Sequence, residues 1–275
     1  MVIVMRKNSV CFYLLLALIF FSCETVIDVD VPAEAPKLVV NCFINPYDQF
    51  VKVYVRQSNP VFGTSSFSDW ATKEDADVVM TGPNGSVNIP YDINEGVYSI
   101  PAEHILVVAG GTYRLDVSAP GFTSVFATTT VPSDTPIFVT SQLVVEEETM
   151  GDGFTTLVFD YDFAWPDMSD MPNYYEISIQ QYGSELLYEN YDDMGDNTAL
   201  MREQIRTYSG SVGDMVEPFH VYLLNTTEEY HRYKVSLKNV SFGDPFAEPS
   251  QIYSNITNGL GCFGSYTGSS VYITP

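Results

Sequence analysis

Three histidines stand in the 275-residue sequence: His104, His220 and His231. A zinc site needs three or four converging ligands, and no His-x-His or His-Glu-x-x-His spacing occurs here. His220 and His231 could meet across a hairpin, but three ordinary histidines are the more economical reading. A serine nucleophile needs a base and an orienting group, often on a Gly-x-Ser-x-Gly elbow, and that pattern is missing. Carboxylates are plentiful, and paired acids can hydrolyse glycosides. Asp160, Asp162, Asp167 and Asp170 are the acids to test, since Asp160 and Asp162 would share one face of a strand. Asp192, Asp193 and Asp196 sit in a Gly-containing loop, where hard oxygen ligands suit calcium. Their spacing is not that of an EF-hand. The run Glu146-Glu147-Glu148 reads as a solvated strand end or loop.

Aromatic residues give a second chemistry, recognition by flat rings that lose little entropy on binding. Tyr174, Tyr175, Tyr182, Tyr188 and Tyr191 cluster in one stretch, and Trp70 lies in an expected long loop over 58–75. Such rings stack on sugars and on protein surfaces. The alternative is that they are simply strand tyrosines of a β-protein. The glycine-rich Gly259–Gly264 segment lacks the Lys-Ser/Thr end of a P-loop and no helix is expected after it. It reads as a tight turn that lets backbones approach closely.

The elements that would position these residues are strands. Alternation of period two runs through 25–31, 37–44, 50–56, 76–81, 112–118 and 123–130. Turn dipeptides such as Glu95-Gly96, Gly110-Gly111 and Pro120-Gly121 separate them. Val131-Pro-Ser-Asp-Thr-Pro136 is extended, Pro-rich and polar, and marks the expected boundary. A second β-region follows at 137–146, 154–163, 174–182, 219–224, 230–240, 252–257 and 262–273. One short helix is expected near 197–206, with Asn197 as its cap. The expected fold is all-β, with two tandem β-sandwich domains. Residues 23–132 form an Ig-like or transthyretin-like sandwich and 133–275 a fibronectin III-like one.

Residues 1–22 read as a signal peptide. Arg6 and Lys7 precede an apolar run from Val10 to Phe21, too short to span a bilayer. Ser22-Cys23 then has the form of a bacterial lipobox, which predicts cleavage before Cys23 and a diacylglycerol on its sulfur. The expected place is the outer membrane of a bacterial envelope, with acyl chains such as palmitate as the anchor. Ordinary secretion with a structural Cys23 is the alternative. The full chain carries 12 Lys+Arg against 35 Asp+Glu, a net charge of −23. Loss of residues 1–22 leaves 10 against 35, or −25. So acidic a chain has no electrostatic reason to bind nucleic acid. Two cysteines remain after Cys11 and Cys23, namely Cys42 and Cys262. They could pair, or be two separate buried thiols, which the alternating run around Cys42 favours. Asn-x-Ser/Thr sequons at Asn84, Asn225, Asn239 and Asn255 are coincidental in a bacterial protein.

Several segments together carry a resemblance. Cys23-Glu24 leads into Val26-Ile-Asp-Val-Asp-Val-Pro32 and Leu38-Val-Val-Asn41. Gly111-Thr-Tyr-Arg-Leu-Asp-Val-Ser-Ala-Pro-Gly-Phe122 and Thr128-Thr-Thr-Val-Pro132 follow. Tyr230 and Tyr233, Asp244-Pro245-Phe246-Ala-Glu-Pro249, and Tyr253-Ser-Asn-Ile256 lead to Asn258-Gly-Leu-Gly-Cys-Phe-Gly264. This resembles the DUF4249 family of Bacteroidetes lipoproteins over essentially the whole mature chain. The resemblance implies an envelope lipoprotein, often encoded beside a TonB-dependent receptor, and brings no catalytic residues. It makes a TonB-dependent β-barrel the expected partner, alongside the membrane reached through the lipid. The expected function is therefore a non-enzymatic binding or accessory protein of an uptake system. A secreted polysaccharide hydrolase and a structural envelope spacer are the alternatives.

Overall fold

The computed structural model describes residues 35–58, 72–149, 155–166, 172–181, 184–191, 200–209, 218–239 and 251–274. The expected strand at 25–31 lies outside them. Elsewhere the alternating runs become strands: β1 Leu38–Ile44, β2 Phe50–Gln57, β3 Asp77–Gly82, β7 Thr112–Ser118 and β8 Val125–Thr130. Three short strands complete this half: β4 Gly85–Asn88, β5 Tyr91–Asp92 and β6 Val97–Pro101. Then come β9 Phe138–Thr149, β10 Thr155–Pro166, β11 Tyr174–Gln181 and β12 Ser184–Tyr191. The chain continues through β13 Leu200–Ser209, β14 Phe219–Thr226, helix α1 Glu228–Lys238 and β15 Leu260–Ile273.

Three sheets result, and the all-β class holds. One has eight strands in the order β12-β11-β14-β15-β1-β2-β6-β5. A four-stranded sheet, β4-β3-β7-β8, and a three-stranded sheet, β13-β10-β9, complete the set. The alternation of β1 explains the first core. Leu38, Val40, Cys42 and Ile44 are buried on one face. They join Val53 of β2, Met80 of β3 and Leu115 of β7 in one cluster. The second cluster joins Phe163 and Trp165 of β10 to Tyr175, Ile177 and Ile179 of β11 and to Val221 and Leu223 of β14. Burying a side chain of this size contributes roughly 1.5–3 kcal/mol.

The expected boundary at 132–133 falls between β8 and β9, and the eight-stranded sheet draws strands from both sides of it. β15 is the shared element. Its 14 residues extend about 45 Å at 3.3 Å per residue. Phe263 near its start belongs to the first core and Ile273 at its end to the second. Between them Ser265, Thr267 and Ser269 recur every second residue: Ser265 meets Thr129 of β8 at 2.9 Å, and Thr267 and Ser269 meet the 131–137 connection. Thr267 donates to the Ser133 carbonyl at 2.8 Å and Ser269 to that of Thr135 at 2.8 Å. Asn225 of β14 also donates to Ser133 O at 3.0 Å. A stripe of small polar residues thus fixes the connection, and Thr135 is buried there.

Three local expectations are corrected. The segment near 197–206 is strand β13, although Leu, Met, Arg, Glu and Gln favour helix. It pairs antiparallel with β10 from Pro166↔Leu200 to Leu157↔Ser209, and that ladder overrides the propensity. The expected strand at 230–240 is instead helix α1. Tyr233, Val235 and Leu237 alternate, but Tyr230, Tyr233 and Leu237 also share a helical face. The cap decides: the Thr227 hydroxyl accepts from the Tyr230 N–H at 3.4 Å, with Glu228 and Glu229 in the first turn. Residues 252–257 form no strand, apart from an isolated bridge between Thr257 and Phe126.

Candidate functional site

The motif-like Asn255–Gly264 segment is the natural place to look for chemistry, and it does structural work. It enters β15, which pairs parallel with β1 in the register Val40↔Gly261 and Cys42↔Phe263. The expected tight turn over Gly259–Gly264 lies just earlier, where the Gly259 N–H donates to the Ile256 carbonyl at 3.2 Å, and from Leu260 the segment is strand; the expected close backbone approach is present. The Asn255 amide donates to the Phe263 carbonyl at 2.7 Å, and the Phe263 N–H donates back at 2.9 Å. Asn41 accepts from the Cys262 N–H at 3.1 Å. Gly261 has φ +104, and a Cβ there would lie 2.1 Å from the Val40 carbonyl oxygen. A Cβ at Gly264 would meet that of Tyr230 at 2.9 Å, so this glycine lets α1 sit on the sheet.

The same register separates the two cysteines. Partners in a parallel ladder share a face, so Cys262 lies with Asn41 and Cys42 with Phe263. Cys42 faces the first core, whereas the Cys262 thiol donates to the Glu229 carbonyl of α1 at 3.5 Å. Both are free and buried, on opposite faces of one sheet, which is the separate-thiol arrangement. Burial pushes both thiols far above their ordinary range. The neighbouring Cys262 and Asp48 add to this for Cys42, and Glu229 adds for Cys262.

α1 covers the middle of the outer face of the long sheet. Tyr230 packs edge-on to Phe43 at 5.1 Å and against Tyr266 at 5.4 Å. Beside the helix a groove of about 520 Å³ runs along residues 251–254. His231, Arg232, Ser236 and Asn239 line one wall and Gln251, Ile252 and Tyr253 the other. The Arg232 guanidinium lies over the Tyr253 ring at 4.4 Å and pairs with Glu228 at 3.3 Å. Ser236 ties the walls together, accepting from the Tyr253 N–H at 3.0 Å and donating to Tyr233 O at 2.7 Å. Burial raises the Tyr253 hydroxyl pKa against the opposing pull of Arg232. The groove offers imidazole, hydroxyl, amide and guanidinium groups.

Only some of the candidates from sequence fall among the described residues. Cys23, Trp70, Tyr182, Asp167, Asp170, Asp192, Asp193 and Asp196 lie outside the described residues. Tyr174 and Tyr175 are neighbours on β11 and so face opposite sides. Tyr175 is core, packed edge-on to Trp165 at 5.8 Å, which removes it from the exposed aromatics. Tyr174 is half-buried against His231 at 5.1 Å. Tyr188 and Tyr191 stand opposite Ser178 and Tyr175 in the β11–β12 ladder. Asp160 and Asp162 stand opposite Arg206 and Gln204. His231 is on α1 and His220 on β14, so no hairpin joins them. Among the described residues, no group of three His, Cys, Asp or Glu is placed to hold a metal. Sequence reasoning passed over the groove because its helical wall read as a strand. It also passed over the exposed ring of Tyr272, which lies next to the C-terminus of the last strand.

Two hydrophobic cores under one shared sheet define an all-β sandwich protein. The chain belongs to the DUF4249 family, described as a domain of unknown function, whose model matches residues 24–271. No curated protein matches it. Among solved structures, one titled "Cytokine receptor complex - Crystal form 1A" aligns over 86% of this chain and 95% of its own. It does so at 12% identity with a TM-score of 0.24.

Proposed function

We propose that this is a lipid-anchored, non-enzymatic envelope protein that serves a TonB-dependent outer-membrane uptake system as a binding or accessory component. The observation that carries the reading is the place of Cys23. It closes the apolar leader, and the family match begins at the next residue, 24. A charge of −25 repels the chain from an anionic surface, so acyl chains rather than basic residues would supply the attachment. The non-enzymatic part is supported by the Asn255–Gly264 segment, whose Asn255 and Asn258 side chains are engaged with backbone.

The test is Cys23→Ala in the native host. The variant should lose acyl labelling and leave the membrane fraction. The unaltered chain should co-purify with a β-barrel receptor in mild detergent. Acylation that persists in the variant, or repeated purification of the lipidated chain without a receptor, would sink the reading.

A further inference from the structure

The outer face of the long sheet is covered by α1 at one end of β14 and β15 and carries rings at the other. His220 and Tyr272 are cross-strand partners with ring centroids 4.7 Å apart. Tyr222, two residues along β14, stacks near-parallel on His220 at 5.8 Å. Tyr272 is 56% exposed, and His220 is exposed beside it.

The polar neighbours complete a pattern. Gln180 of β11 is the register partner of His220, and Ser270 of β15 that of Tyr222. Both are exposed. Two rows result, Gln180–His220–Tyr272 and Ser178–Tyr222–Ser270, the second ending at its β11 side in buried Ser178. Three strands at about 4.8 Å spacing and two rows about 7 Å apart give a patch roughly 10 by 7 Å. That is the footprint of one or two pyranose rings. None of the six residues is Lys, Arg, Asp or Glu.

We propose that this patch is a binding platform for uncharged sugar. Rings that are apolar on the face and polar at the rim accept the C–H face of a pyranose. The Gln180 amide and the Ser270 hydroxyl lie where the sugar hydroxyls at the edge need partners. The charge of the chain selects against acidic glycans, which a body at −25 repels. The platform deepens the uptake reading by naming a class of cargo, but it stands on geometry that needs no anchor.

The experiment is affinity electrophoresis of the full chain in detergent, through gels containing barley β-glucan, galactomannan, dextran or polygalacturonate. At least one neutral polysaccharide should retard the chain, and polygalacturonate should not. Tyr272→Ala and His220→Ala, both at exposed positions, should each weaken retardation at least tenfold. Tyr47→Ala, at an exposed ring distant in sequence, should leave it within twofold. The proposal is overturned if no neutral polysaccharide retards the chain, if only polygalacturonate does, or if the platform variants migrate as the parent does. A photo-crosslinker at position 272 that captures a polypeptide, with no glycan retardation, would reassign the patch to a protein partner. Retardation is read without the membrane, so it can fail while Cys23 anchoring holds, and the reverse.

Discussion

Gly261→Ala tests whether the parallel junction of β15 with β1 holds the fold together. Gly261 sits at φ +104, and the added Cβ would lie 2.1 Å from the Val40 carbonyl oxygen. An L-residue in left-handed backbone costs roughly 1–2 kcal/mol. Forcing atoms into occupied space typically costs about 1–3 kcal/mol more, and the obstacle here is backbone, which cannot rotate aside. The sum is about 2–5 kcal/mol. At about 2–4 °C per kcal/mol for a body of this size, the melting temperature should fall by roughly 5–20 °C. Gly121→Ala is the matched control. Its φ of +82 is also left-handed, but nothing lies within 4 Å of the new Cβ. It should show the conformational cost alone, about 1–2 kcal/mol. Thermal unfolding followed by circular dichroism gives both values, and amide exchange at 40–42 locates the damage. If the two variants lose the same stability, the close approach to Val40 is not holding the junction and the argument fails.

Other consequences can be measured on the same protein. Asn255→Ala removes both hydrogen bonds to Phe263 and should cost roughly 2–3 kcal/mol in urea unfolding. Asn255→Asp keeps the acceptor and loses the donor, so it should not restore the parent value. Tyr113→Phe removes the hydroxyl that donates to Leu106 O and accepts from the Val108 N–H, each at 2.9 Å. Its cost should be about 1–3 kcal/mol, and a neutral result would discount that contact. Cys42 and Cys262 should resist iodoacetamide in the folded chain and react once guanidinium unfolds it. Their folded pKa values are raised, so their contribution is complete below the unfolded value of about 9 and is lost as pH rises above it. Stability should then fall by about 1.4 kcal/mol per pH unit for each thiol. Between about pH 9 and 10, below the range where the raised tyrosines add their own slope, Cys42→Ala should make that fall shallower, and an unchanged slope would assign it to other groups.

Much of the fold was legible because alternation is a local property. β1, β2, β7 and β8 lie within two residues of where the apolar positions put them, and each buries alternate residues. The errors came where local and distant preferences disagree. β13 has helix-forming residues, and only its ten-residue ladder with β10 makes it a strand. α1 has both periods at once, and the Thr227 cap with its two glutamates settles the matter. The neighbour of β1 was beyond any local reading, since its partner is the last strand. The site was less legible. Tyr175 looked like an exposed ring only while its face was undetermined. His220 and Tyr272 are 52 residues apart in sequence and meet only through the β14–β15 register.

The β1–β15 junction also accounts for the packing of the Asn255–Gly264 segment. Asn41 and Cys262 are 221 residues apart. Closing a flexible loop of that length costs on the order of 5 kcal/mol from the length-dependent part alone. A parallel pair is also slightly less stable per residue than an antiparallel one. The junction therefore needs specific locks, and the motif supplies them. Asn255 clamps Phe263, Gly261 admits the Val40 carbonyl, and Gly264 admits the helix. Under the proposed binding role, recognition uses surfaces that closure does not consume. On the described face of the long sheet those are the groove beside α1 and the rings of His220, Tyr222 and Tyr272. Substitutions there should change binding with little effect on melting temperature, whereas substitutions within Asn255–Gly264 should do the opposite.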